Sequence, residues 1–275
     1  MTLDVLSPVI VVVSAAIIIS LERKFPYDAG QSFLRDGLLN DLTMYAIVQS
    51  YVLGYVIFLI VKEVDSHTGL TRLHLISRWP VVLQVLLFLL THDCYIYWFH
   101  RWQHHSRYLW RIHEAHHSTV DVDWLSGARS HSLEILINQT IEYAPIVLLG
   151  AAPEVILIKG ILDAVWGMYI HSNIDVHSGT LQYVINGPEM HRWHHAREIT
   201  EGGVNFSTKL AFWDWLFGTA YLPRPKKPSG YGIPGMDFPR GYIRQHLFAF
   251  RRFSSPSPVS GIRQSVQEPA SGAEL

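Results

Sequence analysis

The sequence has one cysteine, few charged residues and no basic tract, and each shortage excludes a class of protein. The lone Cys94 excludes an intrachain disulfide framework and a metal site built from thiolates. Charged residues make up 16% of the chain, against roughly 25% in an ordinary soluble domain, and the net charge is −1. A nearly neutral chain without clustered lysine or arginine lacks the surface that binds a nucleic-acid backbone.

The chain contains long apolar runs with little or no charge; the one charged residue in the three runs below is Asp93. Three of them, at 5–21, 42–61 and 79–99, approach or reach the roughly 20 apolar residues that a membrane-spanning helix needs. The middle run carries no charge over its whole length, and the third ends in aromatic residues, as at a membrane interface. These runs predict an integral membrane protein that crosses the bilayer several times.

Two further apolar stretches, at 133–149 and 155–170, are separated by a proline at 153, and this pattern predicts a helical hairpin. Ionisable residues interrupt both stretches. The hairpin therefore either spans the membrane with those groups facing the bundle interior, or lies in the interface. With the three runs above, the sequence predicts an all-α membrane bundle of about four to five hydrophobic helices under a cytoplasmic helical cap.

The distribution of basic residues predicts the orientation. Arg23, Lys24 and Arg35 follow the first run, so the loop behind it is expected to be cytoplasmic and the N-terminus outside. Alternating spans then bring every histidine cluster to the cytoplasmic side. The short chain, without an organelle signal or a retention tail, favours a bacterial inner membrane.

Histidine is the residue in excess. Of 16 histidines, eight lie in 92–131 and five in 171–195. They form the motif H-x-x-x-H at 100–104 and the motif H-x-x-H-H at both 113–117 and 191–195. Residues i, i+3 and i+4 share one face of a helix, so each triplet can aim two or three imidazoles at a common point, and the pair at 100 and 104 can do the same. Eight or more imidazoles exceed what one metal takes, and they indicate two metals.

Two other functions compete with a dimetal centre. His113, Glu114 and His117 match H-E-x-x-H, the zinc signature of metalloproteases. An intramembrane zinc protease would leave the other histidine motifs unexplained, and no Asp-Gly follows the motif to supply a distant carboxylate ligand. A metal-binding membrane protein without catalysis, such as a transporter or sensor, is the second alternative. Transporters usually place their ligands at the bilayer midplane, whereas these histidines lie at the ends of spans.

Six segments of the chain together resemble the fatty acid hydroxylase/sterol desaturase superfamily of membrane-bound oxygenases. They cover about 130 residues, and their order and spacing are similar to those of the family. The segments are HDCYIYWFHRWQHH (92–105), LWRIHEAHHS (109–118), DWLSGARSH (123–131), HSNID (171–175), PEMHRWHHA (188–196) and NFSTKLAFWDWLFGTAYLP (205–223). Asn205-Phe-Ser stands where the family has Asn-Tyr-Gly, and Ser132 follows His131 where proline is frequent.

The resemblance implies a nonheme di-iron enzyme that hydroxylates or desaturates a membrane lipid, with O2 as co-substrate. No heme- or flavin-binding segment is visible, so a ferredoxin, cytochrome or reductase is expected to supply electrons. No catalytic side chain is expected beyond the metal ligands. Matched position by position, those ligands are His100, His104, His113, His116, His117, His171, His191, His194, His195 and, as a less certain tenth, His131.

Three regions follow from these patterns. Residues 1–78 are expected to form membrane anchor helices and a loop, and residues 79–222 the catalytic domain. Residues 223–275 are expected to form an extension whose tail is disordered by composition. Sterols and fatty acyl chains are among the lipids that relatives handle, and the sequence does not choose between them.

Overall fold

The computed structural model describes residues 3–199 and 202–253, and this part of the chain is almost entirely helical. Within it, extended pairing is confined to two isolated bridges, Pro26 with Ile174 and Ala196 with Tyr231. The all-α prediction is therefore confirmed. The predicted disordered tail, residues 254–275, lies outside the described residues. The helices are α1 (Leu3–Lys24), α2 (Leu38–Asn40), a π-helical stretch (Asp41–Gln49), α3 (Ser50–Thr68), α4 (Val81–His105), α5 (Arg107–His117), α6 (Ser132–Leu148), α7 (Pro153–His171), α8 (Pro188–His194), α9 (Phe212–Leu216) and α10 (Tyr242–Phe248).

Three helices of the described chain are long and apolar enough to cross a membrane: Val5–Lys24, Leu38–Thr68 and Val81–His105. They match the three predicted runs, except that the third helix begins at Val81, two residues after the start of its run. The second joins α2, the π-helical stretch and α3 without a break. Large apolar side chains on these helices are exposed, Tyr51 to 81% and Val12 to 68%, as expected of surfaces that face lipid.

The predicted hairpin is formed by α6 and α7, which pack alongside the three long helices. Pro153 stands in the first turn of α7, where its missing N–H is not needed. The backbone N–H of Ile76 donates to the carbonyl of Leu149, so the turn of the hairpin meets the loop that precedes α4. The hairpin therefore runs from the α5 end of the bundle to the opposite end.

The ionisable groups of the hairpin face the bundle interior. The Lys159 ammonium lies 2.8 Å from a Glu142 oxygen and 3.2 Å from an Asp163 oxygen, and Lys209 also pairs with Asp163. His92 of α4 lies 3.2 Å from Glu142. Burying these charges is tolerated because each carboxylate has an ammonium partner.

The α4–α5 corner turns the chain back across the end of the bundle. The Ser106 hydroxyl accepts a hydrogen bond from the backbone N–H of Leu109 and caps the first turn of α5. Helix α5 then packs against α4, α8 packs against α7, and α10 packs against α5. The segments 100–117 and 191–195 consequently meet at one end of the bundle, as the topology predicts.

Candidate metal centre

Nine buried histidines gather at this end of the bundle in two groups. Within each group the ligand nitrogens lie within 4.8 Å of one another. Group 1 contains His100, His104, His113, His117 and His194. Group 2 contains His116, His171, His191 and His195. The groups adjoin, since the ring centroids of His117 and His195 are 4.6 Å apart.

Each H-x-x-H-H motif divides between the two groups. Helix α5 sends His113 and His117 to group 1 and His116 to group 2. Helix α8 sends His191 to group 2 and His194 to group 1, and His195, directly after α8, completes the i, i+4 pair in group 2. Residues four apart on a helix differ by about 40° in direction, whereas residues three apart differ by about 60° the other way. Each triplet therefore aims two imidazoles, i and i+4, at one group, and its i+3 ring faces the neighbouring group.

The hydrogen bonds of group 1 fix which ring nitrogen carries the proton. His100 Nδ1 donates to the Phe206 carbonyl at 2.7 Å, and His113 Nδ1 donates to Glu134 Oε1 at 2.8 Å. Their Nε2 atoms, left without protons, lie only 3.0 Å apart. His194 Nδ1 donates to the Val204 carbonyl, and its buried Nε2 has no partner. Converging lone pairs of this kind fit a cation between them.

Group 2 repeats the arrangement. His171 Nδ1 donates to the Gly167 carbonyl at 2.7 Å, and His116 Nδ1 donates to the Arg129 carbonyl at 3.3 Å. The unprotonated Nε2 atoms of these two rings are 3.3 Å apart. Gly127 lies against His171, and a Cβ at that position would come within 2.5 Å of the ring nitrogen. The donor set thus fits a metal that prefers neutral imidazole.

Burial keeps the imidazoles neutral. Loss of hydration disfavours the imidazolium form and lowers the pKa well below its usual 6.5, and neighbouring histidines add to the effect. This form is the one that binds metal. The affected side chains outside the long helices are His113, His116, His117, His191, His194 and His195.

The Glu134 carboxylate contacts His113 of group 1. The sequence patterns did not assign Glu134 a role at the metal centre. This side chain is buried on α6 and orients the His113 ring. Glu114 and Glu189, which stand in or beside the histidine motifs in sequence, pair with arginines instead. Glu114 accepts two hydrogen bonds from Arg251, at 2.7 and 2.9 Å. No local sequence pattern marks this pair, because His113 and Glu134 are 21 residues apart and α6 approaches α5 only in the folded chain.

Two buried aspartates hold the loop that supports His100. Asp93 accepts hydrogen bonds from the backbone and side chains of 208–210 and from an indole N–H. Asp214 accepts from the backbone N–H groups of 206–207 and from a threonine hydroxyl. These carboxylates fix the Phe206 carbonyl that accepts from His100, so they act on the site through the loop.

His131 lies outside both groups. Its Nδ1 accepts the backbone N–H of Leu133 and caps α6, and its Nε2 donates to the His246 carbonyl at 3.2 Å. Both ring nitrogens are therefore engaged away from the groups. His92, Glu142 and Asp163 form a third cluster with ligand atoms within 4.8 Å. Because two lysines already neutralise its carboxylates, we assign no metal to it.

Replacing Glu134 with alanine is expected to weaken metal binding about 10- to 100-fold, because His113 loses the acceptor that fixes its tautomer and orientation. Competition with a chromogenic chelator measures the affinity. Glu63→Ala is the matched control, since it removes an exposed carboxylate 3.4 Å from His67, remote from both groups. Equal affinities for the two variants would contradict the orienting part assigned to Glu134.

Comparisons with known proteins converge on one family. The family model described as fatty acid hydroxylase matches residues 85–219. An ornithine lipid hydroxylase, OlsE of Rhizobium tropici, is 33% identical over 176 residues, which are 64% of this chain and 53% of that protein. The alkylglycerol monooxygenase of Homo sapiens is 32% identical over 154 residues, 56% of this chain and 34% of its own length.

A sterol-modifying enzyme also matches. Methylsterol monooxygenase 1 of Rattus norvegicus is 32% identical over 148 residues, which are 49% of this chain and 47% of that protein. The chain thus spans about half the length, or less, of these relatives. No solved structure matches the chain significantly. The matched region contains all nine histidines of the two groups.

Proposed function

The chain belongs to the fatty acid hydroxylase family through residues 85–219, and from this premise we propose that it is an O2-dependent di-iron lipid hydroxylase or desaturase. The two adjoining groups of buried neutral imidazoles carry the proposal, because one metal cannot use nine of them. Imidazole suits iron among the transition metals, and the relatives are named hydroxylases and monooxygenases.

The nine histidines of groups 1 and 2 are the proposed ligands, and His131 is not included among them. Two irons would supply the activation of O2 that attack on an unactivated C–H bond requires. Hydroxylation consumes one O2, two electrons and two protons, and yields the alcohol and water. The electrons come from an external ferredoxin, cytochrome or reductase.

The chain itself orients the imidazole rings and keeps bulk water away from them. Carbonyls of Phe206, Val204, Gly167 and Arg129 accept from ring Nδ1 atoms and turn Nε2 inward. Because all nine rings are buried, bulk water has little access to the reacting centre. Such preset geometry lets the protein hold both metals at fixed positions.

The proposed substrate is a membrane lipid. The relatives are named for an ornithine lipid, alkylglycerols and methylsterols, all of which reside in membranes. We place the protein as a multi-pass integral protein, with the metal centre on the cytoplasmic face of a bacterial inner membrane. Residues 79–222 would form the catalytic domain and residues 1–78 its anchor. We favour hydroxylation over desaturation, because it needs one oxygen insertion only.

The test is product formation in a defined membrane. Protein in nanodiscs of native lipid is supplied with Fe²⁺, ¹⁸O2, NADPH, ferredoxin and ferredoxin reductase, and the lipids are compared by mass spectrometry. A lipid that gains one ¹⁸O atom supports hydroxylation, and a lipid that loses two hydrogens supports desaturation. Unchanged lipids, with iron bound and reduced during the assay, would overturn the proposal. A His113→Ala/His191→Ala variant is the inactive control.

The zinc-protease alternative meets an obstacle in the structure. Its general base would be Glu114, yet this carboxylate is held by both terminal nitrogens of Arg251. The two hydrogen bonds engage both carboxylate oxygens, so neither is free to take a proton from a water. His113 and His117 also share their group with three further histidines, more than a protease site uses.

A further inference from the structure

An apolar groove lies at the opposite end of the bundle from the metal centre. Its volume is about 480 Å³, within the usual range of roughly 300–1,000 Å³ for ligand pockets. Helices α3, α6 and α7 form its walls. The apolar lining includes Ile57, Val61, Val147 and Ile156, with Gly54 and Tyr143.

The groove extends along α3 away from the metal centre. Gln49 donates to the Ser130 carbonyl, so α3 begins beside the loop that adjoins the metal groups. At about 1.5 Å per residue, Gly54 lies about 6 Å, and Lys62 about 18 Å, from Ser50, the first residue of α3. Thr68, where α3 ends, lies about 9 Å beyond Lys62. Lys62 therefore stands near the far end of α3, where its long side chain extends towards the headgroups of the opposite leaflet.

The chemistry of the groove is that of a lipid chain with an anionic end. Its walls are almost wholly apolar between Gly54 and Lys62. Asp65, beside Lys62, accepts hydrogen bonds from the backbone and hydroxyl of Thr71, at 2.9 and 2.6 Å. The lysine is thus the lining residue whose charge suits a phosphate. A Cβ on Gly54 would meet nothing within 4 Å, so the missing side chain leaves room for an occupant.

We propose that this groove binds one acyl chain of a phospholipid from the leaflet opposite the metal centre, with the phosphate at Lys62. The bilayer supplies this phospholipid, because the groove opens on a membrane-crossing helix whose Tyr55 and Phe58 are 64% and 58% exposed. The phosphate site differs from the metal centre by position. Along α6, the lining runs from Gln139 to Val147, about 8 to about 20 Å from Glu134, which contacts the metal centre, and Lys62 belongs to the far end.

Photochemical labelling tests the site in the full chain. The protein is placed in nanodiscs with phosphatidylglycerol that carries a diazirine on one acyl chain, and adducts are mapped by mass spectrometry. We expect labelling of 57–61 and 143–147 to exceed, several-fold, that of the stretch 9–17 of α1, where Val12 is 68% exposed. Equal labelling of the three stretches would overturn the proposal. Protection of 57–61 from labelling in nanodiscs that hold two chains, counted by native mass spectrometry, would also overturn it, by assigning the groove to a second copy.

Variants at Gly54 and Lys62 separate site from surface. Gly54→Trp fills the groove and should reduce the excess labelling to the level of α1, whereas Gly54→Ala should retain it. Lys62→Gln should reduce labelling by phosphatidylglycerol without removing the apolar walls. Persistence of the excess in a folded Gly54→Trp variant would contradict the proposal. Should that variant misfold, the comparison of stretches in the wild-type chain decides alone. Product formation plays no part in these readouts, so they fail or succeed independently of the proposed function.

Discussion

Replacing His113 and His194 with alanine is expected to lower the metal content from about two ions per chain to about one and to abolish product formation. Both side chains belong to group 1, which keeps three of its five imidazoles, while group 2 keeps all four. His113 is also the ring held by Glu134, so its loss removes the best oriented ligand. Elemental analysis of purified protein, beside Mössbauer spectra after growth on iron-57, measures the change.

The companion variant addresses the other group. His171→Ala/His195→Ala leaves two of four imidazoles in group 2 and should also reduce the content to about one ion. His131→Ala is the matched control, because this buried histidine lies outside both groups and should leave two ions bound. A loss of metal in the His131 variant would show ten ligands instead of nine. A single zinc that depends only on His113 and His117 would support the protease alternative.

Replacing Asp41 with alanine is expected to lower the free energy of unfolding by about 3–5 kcal/mol. The substitution removes the carboxylate that joins Arg35 and Arg129 in a buried ion-pair network. Asp41 is fully buried, accepts two hydrogen bonds of 2.8 Å from Arg129 and one of 2.8 Å from Arg35. Without it the Arg129 guanidinium loses the carboxylate that neutralises it. The Arg129 carbonyl accepts from His116, so the damage extends to group 2.

Denaturation in detergent, followed by circular dichroism, measures the loss, and metal content measured in parallel reports on group 2. Asp36→Ala is the control on the same loop. Its carboxylate pairs with Arg240 at 3.0 Å, but the side chains are 69% and 87% exposed, so the change should stay within about 0.5 kcal/mol. Equal destabilisation by both substitutions would show that burial of the network does not decide stability at this end of the bundle.

Much of the architecture is legible in the sequence because its signals are local. The apolar runs predict the three long helices, since a single segment in hydrocarbon can hydrogen-bond all its backbone groups only as a helix. Pro153 predicts the hairpin turn. The third apolar run is predicted to end at residue 99, in its aromatic residues. The helix α4 continues to His105 and therefore carries His100 and His104. Hydropathy does not locate the end of this helix, because its last turns consist largely of polar residues.

The candidate site divides in the same way. Helical spacing identifies the three histidine motifs and indicates two metals, because local geometry fixes which rings share a face. The spacing does not say that His116 and His194 face the group opposite to their neighbours, since that depends on how α5 and α8 approach one another. His131, the less certain tenth ligand by sequence, lies outside both groups because its Nδ1 caps α6.

The sequence by itself determined the helical membrane class and that the histidine motifs meet at one end of the bundle, because charge, hydropathy and i, i+4 spacing act over a few residues. Only the tertiary structure decided which ring joins which group, that Glu134 orients His113 and that Arg251 occupies Glu114. These contacts join residues 21 and 137 positions apart, and such pairs exist only after distant helices have packed.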